Sequence, residues 1–176
     1  MKILVIDDSV ANQEAAKSQL AEHDLTVVGT YDDGLELVRD KDLKCHFDVV
    51  LADLLMPASS RQINPNGKGA HLIGQEMPVG IFLALSAATN GAKYVAVLTD
   101  SSHHAHPASA CLDAFYGYGE AKPVPFTVGG AVMLLSNTRA WVDEVGENQP
   151  VRAKNWKKLL DYLITPHSFE GVRRVY

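Results

Sequence analysis

The chain has few of the features that mark secreted, membrane or nucleic-acid-binding proteins. Its two cysteines, Cys45 and Cys111, are too few for a disulfide framework and indicate free thiols in a reducing compartment. No apolar run approaches the roughly 20 residues that span a bilayer, and the first apolar stretch leads into two aspartates, unlike a signal peptide. The net charge of −5 gives no basic surface for nucleic acid. We therefore expect a cytoplasmic protein that binds neither a membrane nor nucleic acid.

What is present fits an ordinary globular protein. The hydrophobic content of 47% and charged content of 21% are typical of a soluble domain, and 176 residues suffice for one well-buried core. We find no linker, repeat or low-complexity tract. The sequence therefore predicts one domain over residues 1–164, followed by a tail over residues 165–176.

Three carboxylates follow two short apolar segments, and they are the most informative feature of the chain. The segment 2–6 leads directly into Asp7 and Asp8, and the segment 47–52 leads into Asp53. Continuous apolar runs of this length are typical of buried parallel strands. Ligands of open parallel sheets lie beyond the carboxyl ends of the strands, so the three side chains should converge if these strands are neighbours.

Converging carboxylates favour a bound cation. Three carboxylates share a pocket as anions only with raised pKa values or with a neutralising positive charge. A hard divalent cation with oxygen ligands is the simplest solution, Mg²⁺ first and Mn²⁺ as the alternative.

The first half of the chain alternates strands and helices. Ser9 is a candidate N-cap for a helix, and residues 25–30 form a β-branched run typical of a second strand. A second helix and the strand before Asp53 complete a β-α-β-α-β pattern with short connections. That pattern predicts a doubly wound parallel sheet. The apolar face of the first helix is predicted to comprise Val10, Ala15, Ala16 and Leu20.

The second half is less regular. Residues 58–76 contain several glycines and one proline without a sustained period, which predicts a long irregular insertion after the third strand. A helix over residues 79–90 and a strand over 94–98, closed by Thr99, restore the alternation. An irregular region then precedes a fifth strand at 131–136, and the last helix is predicted over 154–164.

The acidic pair Asp7-Asp8, Asp53 in an Asp-Leu-Leu-Met-Pro run, and Thr99 at the end of the fourth strand resemble the receiver domains of two-component response regulators. The resemblance covers residues 1–56 best and weakens beyond Thr99. It implies a flavodoxin-like α/β fold, with a doubly wound five-stranded parallel sheet in the strand order 2-1-3-4-5. The long insertion after strand 3 and the irregular region before strand 5 would be departures from the usual pattern.

The same resemblance implies a site and a function. Asp53 would be the phosphoacceptor, Thr99 would bind the phosphoryl group, and Mg²⁺ would be held by Asp7, Asp8, Asp53 and the backbone carbonyl of Leu55. The chemistry would be limited to self-phosphorylation and dephosphorylation of an aspartate, not metabolic catalysis. The implied partners are a histidine kinase or phosphotransfer protein and a downstream protein target, and a homodimer is compatible with the pattern.

A lysine is needed to complete such a site, and its identity is open. Receivers place a lysine, usually followed by proline, after strand five, and Lys122-Pro123 has that dipeptide. The residues at 116–121 make a poor buried strand, however, because their glycines bury little surface. If the fifth strand is 131–136, Asn137 ends it and Lys122 lies before the strand.

Two further alternatives remain at this stage. The chain could be a degenerate receiver that keeps the fold and acts as a phosphorylation-independent protein-binding module. Separately, His103, His104 and His106 could bind Zn²⁺ or Mn²⁺ together with an aspartate. No helical or hairpin register places two of these histidines on one ion, so a solvated loop is the favoured interpretation.

Overall fold

A computed structural model describes residues 1–40, 42–102, 104–116, 122–137, 141 and 153–166. The strands are β1 (Lys2–Ile6), β2 (Asp24–Val28), β3 (Val49–Asp53), β4 (Met56–Pro57), β5 (Glu76–Met77), β6 (Tyr94–Thr99), β7 (Phe126–Val128) and β8 (Ala131–Asn137). The helices are α1 (Val10–Gln19), α2 (Tyr31–Val38), α3 (Gly80–Thr89), α4 (Pro107–Cys111) and α5 (Trp156–Ile164), with 3₁₀ turns at Ala70–Leu72 and Leu112–Phe115. Within these ranges, every helix is too short or too polar to cross a bilayer.

The main sheet has the strand order β2-β1-β3-β6-β8-β7, and its first five strands are parallel. With β6 and β8 as the fourth and fifth parallel strands, this is the predicted order 2-1-3-4-5. The flavodoxin-like fold and the doubly wound parallel sheet are therefore confirmed.

An antiparallel edge strand, β7, was missed by the sequence analysis. It pairs with β8 through a two-residue hairpin loop formed by Gly129 and Gly130, whose φ angles are +58° and +91°. Two consecutive residues with positive φ are typical of the tight turn that joins antiparallel strands, and glycine adopts them without strain. Adjacent glycines next to an apolar run were thus the available signal for β7.

Both faces of the sheet are covered by helices. Side chains of α2 and α3 pack on one face with Leu4, Ile6 and Val50, while α1 and α5 pack on the other with Ile3 and Val5. Because consecutive strand residues point to opposite faces, a strand covered on both sides must be apolar throughout. This explains the uninterrupted apolar segments that precede Asp7 and Asp53.

The insertion after β3 is more regular than the sequence suggests. Its ends pair as the short antiparallel strands β4 and β5. Arg61 Nη1 lies 2.8 Å from Glu36 Oε1, and Gln62 Nε2 donates to Asp32 Oδ1 at 3.1 Å, so the insertion rests against α2. Two-residue strands carry no detectable periodicity, which is why the pairing was not predicted.

Gly80 allows α3 to begin directly against the end of β3. Its N–H donates to the Leu54 carbonyl at 3.1 Å. A Cβ atom at this position would lie 1.6 Å from the carbonyl oxygen of Asp53, so no other residue fits without moving the backbone. At Gly29, by contrast, the nearest atom to an added Cβ would be the end of the flexible Gln13 side chain, at 2.7 Å, and the Asp7 carbonyl oxygen would lie at an ordinary contact distance of 3.8 Å.

We predict that Gly80→Ala lowers the free energy of unfolding by about 3 kcal/mol, at the upper end of the usual cost of overpacking. Gly29→Ala is the matched control and should cost less than about 1 kcal/mol, because Gln13 can move aside. Urea denaturation followed by circular dichroism measures both values. Equal costs for the two variants would show that α3 does not abut Asp53 as described.

Candidate functional site at the carboxyl ends of the strands

The structure brings the three predicted carboxylates together. Ile6 of β1 is the register partner of Ala52 of β3, so the residues that follow, Asp7 and Asp53, lie at the same level of the sheet. One carboxylate oxygen from each of Asp7, Asp8 and Asp53 lies within 4.8 Å of the others. Asp7 and Asp53 are buried, whereas Asp8 is partly exposed.

A buried lysine, Lys154, joins two of these carboxylates. Its ammonium lies 2.6 Å from Asp7 Oδ2 and 2.8 Å from Asp53 Oδ1, and its side chain is 0% exposed. The sequence predicts a last helix that already includes Lys154. In the structure α5 begins at Trp156, and Asn155 is its N-cap, whose side chain accepts from the Lys158 N–H at 2.8 Å. An asparagine before an apolar helix is a start signal that would have placed Lys154 in the preceding turn.

Lys122, the candidate from the sequence, lies elsewhere. Its ammonium is 5.0 Å from the ring centre of Tyr162 and 5.7 Å from that of Trp141, a cation–π arrangement at the surface. The fifth parallel strand is β8, so Lys122 precedes this strand while Lys154 follows it. Lys154, not Lys122, is therefore the lysine that contacts Asp53.

Asp7 is surrounded by donors from the protein. Its Oδ1 accepts from the Ser9 N–H at 2.9 Å and from Asn12 Nδ2 at 3.2 Å. Its Oδ2 accepts from Lys154 at 2.6 Å and again from Asn12 Nδ2 at 3.3 Å. With both oxygens occupied and no exposed surface, Asp7 is foremost the counter-ion of Lys154. A metal ion would be reached more easily by Asp8 and Asp53.

The carboxyl of Asp53 holds its proton more tightly than an exposed aspartate does. Burial raises the pKa of its carboxyl to about 7, with Lys154 acting in the opposite direction and the Asp7 anion adding to the rise. Its Oδ1 is buried and, despite the close ammonium, receives no hydrogen bond of favourable geometry from the described residues. Burial and the Asp7 anion also raise the pKa of Asp8, with a smaller contribution from Glu76.

These properties fit a divalent cation. The carboxylate oxygens are close enough to share one ion, and one ammonium cannot neutralise three carboxylates. Hard oxygen ligands in this number suit Mg²⁺. Leu55, whose backbone carbonyl is the remaining predicted ligand, is buried two residues after Asp53, and its role stays a prediction.

Thr99 ends β6 at the same edge of the sheet. Leu98 is the register partner of Asp53, and Thr99 follows it, fully buried, with its Oγ1 accepting from the Ser101 N–H at 3.1 Å. A hydroxyl group therefore accompanies the carboxylates and the ammonium at the ends of the parallel strands.

His104 and His106 do not join the carboxylates. His106 Nδ1 accepts from the Ala108 N–H at 3.1 Å and thereby caps α4. Among the described residues, the three aspartates are the one group of three that could hold a metal ion, and it includes neither His104 nor His106. His103 lies outside the described residues.

Comparisons with known proteins give no family assignment and a distant structural likeness. No family model matches the chain, and no curated protein matches it. Among solved structures, the chain is similar to the solution structure of a response regulator protein from Burkholderia multivorans. The two share 18% identity over 94% of this chain and 96% of that chain, with a TM-score of 0.43.

The raised pKa of Asp53 predicts a pH effect on stability. The folded protein holds this proton more tightly than the unfolded chain, whose reference pKa is 3.8. The resulting contribution to the free energy of unfolding is complete below that pKa and is lost as the pH rises through about 7. In metal-free buffer, wild type should therefore lose at least about 1 kcal/mol relative to Asp53→Asn between pH 4 and pH 8. Urea denaturation of both proteins across this range measures the difference, and parallel curves would contradict the prediction.

Removing the buried ammonium should be costly. We predict that Lys154→Met destabilises the protein by about 3–5 kcal/mol at pH 8, because Asp7 is left charged and buried without its counter-ion. Lys122→Met is the matched control and should cost at most about 1 kcal/mol, the usual value of an exposed cation–π contact. Denaturant titrations give both values. If Lys122→Met were the more damaging change, the assignment of the two lysines would be reversed.

Proposed function

We propose that this protein is a phosphoacceptor receiver of a two-component signalling system, phosphorylated on Asp53 in a Mg²⁺-dependent reaction that switches a protein-interaction surface. The observation that supports this most is the Lys154 ammonium, buried between Asp7 and Asp53 at the sheet edge where Asp8 and Thr99 also lie. A carboxylate nucleophile, a fixed cation and a hydroxyl donor are the groups that phosphoryl transfer to an aspartate needs.

In the proposed reaction, an oxygen of ionised Asp53 attacks the phosphorus atom of a phosphohistidine or an acyl phosphate. A new P–O bond forms, and the bond to the donor group breaks, with its electron pair leaving on the donor. Mg²⁺, when bound by Asp8 and Asp53, supplies positive charge that favours the Asp53 anion and offsets the charge of the phosphoryl oxygens.

Lys154 has a partner both before and after phosphoryl transfer. Before it, the ammonium pairs with Asp53 at 2.8 Å and Asp7 at 2.6 Å. Afterwards it binds a phosphoryl oxygen while it keeps Asp7 as counter-ion, so the lysine is never buried without a partner. Thr99 donates its hydroxyl to another phosphoryl oxygen.

The proposed partners follow from this chemistry. A histidine kinase or phosphotransfer protein supplies the phosphoryl group, and its approach is easiest beside Asp8, the partly exposed member of the cluster. A downstream protein, or a second copy of the chain, reads the phosphorylated state.

The second candidate is a degenerate receiver that binds a protein constitutively. Two features favour it: the ammonium of Lys154 is already neutralised and fully enclosed, and the segment after Thr99 differs from a regular βα unit. There α4 has only five residues, and β7 covers the outer edge of β8. The short α4 and the covered edge of β8 would both limit a conformational change after phosphorylation.

Intact mass after incubation with acetyl phosphate and Mg²⁺ tests the proposal. Wild type should gain the mass of one phosphoryl group, and Asp53→Asn should gain none, because its amide is not a nucleophile. Asp8→Asn should need about tenfold more Mg²⁺ for the same rate, since it loses a charged ligand.

Asp48→Asn is the matched control. Asp48 immediately precedes the first residue of β3, at the end of the strand opposite to Asp53, and its Oδ1 lies 2.7 Å from Lys93 Nζ. It should react as wild type does. An undiminished mass gain in Asp53→Asn would remove the phosphoacceptor assignment. A folded wild-type protein that gains no mass would favour the degenerate receiver.

A further inference from the structure

Asn12 is a polar residue on the buried face of α1. It is 2% exposed and stands one and two helical turns before Ala16 and Leu20, both fully buried. A buried amide is costly unless its polar atoms are hydrogen-bonded. Its partners therefore indicate why an asparagine occupies this position.

The side chain of Asn12 connects two parts of the site. Its Nδ2 donates to Asp7 Oδ1 at 3.2 Å and to Asp7 Oδ2 at 3.3 Å. Its Oδ1 accepts from the main-chain N–H of Lys154 at 3.1 Å. Its main-chain carbonyl also accepts from Trp156 Nε1 at 2.9 Å. One residue of α1 thus contacts both the counter-ion of the ammonium and the backbone that carries it.

Lys154 needs such a contact, because it lies outside the described strands and helices, at a single bridge position. The chain leaves the sheet at Asn137, the last residue of β8, and Lys154 comes only just before α5. Two other described contacts fix this turn: Gln19 Nε2 donates to the Lys154 carbonyl at 3.3 Å, and the Asn155 N–H donates to the Trp141 carbonyl at 2.7 Å. Neither of these two reaches a carboxylate of the cluster.

We infer that Asn12 is a positioning residue, which sets the place of the Lys154 ammonium by holding the Asp7 carboxylate and the Lys154 main chain at a fixed separation. Because Asp7 and Lys154 are bound by the same amide, the ammonium is directed to the space between Asp7 and Asp53. The importance of this placement for phosphoryl transfer rests on the function proposed above; the placement itself does not.

Chemical modification of lysine tests the placement without any phosphoryl group. Lys154 is 0% exposed, so in wild type it should react with acetic anhydride far more slowly than the exposed Lys157 and Lys158. In Asn12→Leu, which keeps the size of the side chain and removes its hydrogen bonds to the Asp7 carboxylate and to the Lys154 main chain, the rate at Lys154 should rise at least about tenfold. Peptide mass mapping gives the rate for each lysine.

Gln19→Leu is the matched control. It removes a hydrogen bond from the same helix to the same lysine, and it leaves the Asp7 carboxylate untouched. Its rate at Lys154 should stay within about twofold of wild type, after both variants are shown to be folded. If Asn12→Leu does not fold, Asn12→Ser is used, because its small side chain cannot span Asp7 and the Lys154 main chain.

Phosphorylation kinetics test the consequence. With saturating acetyl phosphate and Mg²⁺, the rate constant of Asn12→Leu should fall about tenfold, whereas its dissociation constant for Mg²⁺ should change less than about threefold, since Asp8 and Asp53 are retained. A purely structural defect would affect both quantities and would appear in Gln19→Leu as well.

The outcomes separate the two proposals. Faster labelling of Lys154 in Asn12→Leu, but not in Gln19→Leu, supports the positioning role. If wild type at the same time accepts no phosphoryl group, the proposed function fails and the positioning role stands. Equal labelling in wild type and Asn12→Leu, or equal enhancement in Gln19→Leu, overturns the positioning role whether or not Asp53 is phosphorylated.

Discussion

The structure depends on one buried ammonium placed between two carboxylates. Lys154 connects the end of β1, the end of β3 and the turn before α5, segments at opposite ends of the chain. A charge in this position is compatible with folding only because Asp7 and Asp53 both approach it closely. The contact therefore joins the end of the first strand to the last helix: the buried Asp7 carboxylate has its ammonium partner only when the segment before α5 is in place.

The carboxylates at this sheet edge differ in how far their surroundings stabilise the charged form. One ammonium faces Asp7, Asp8 and Asp53, and burial raises the pKa of Asp53 to about 7. Asp7 accepts from three donors, while Asp53 has a buried oxygen to which no described residue directs a hydrogen bond. The residue that the proposed chemistry requires to change state is thus a carboxylate whose charged form is disfavoured by burial.

The sequence allowed the parallel sheet and the convergence of the carboxylates to be predicted, because both follow from local features. Short apolar runs that end in Asp7, Asp53 and Thr99 are visible without knowledge of distant contacts. Lys154 and Asn12 were missed for the opposite reason. The lysine is brought to the site by a turn far along the chain from β8, and the asparagine interrupts the apolar face of α1, so a search for apolar periodicity passes over it. Val10 was assigned to that face instead, and it is 71% exposed.

The insertion after β3 leaves the sheet and returns to it at almost the same point. The Gly80 N–H donates to the Leu54 carbonyl at 3.1 Å, so the two ends of the excursion are in hydrogen-bond contact. A loop whose ends already meet can be lengthened or exchanged at a small entropic cost and without displacing the elements on either side. The length and composition of the 58–76 segment can consequently change while Asp53 keeps its surroundings.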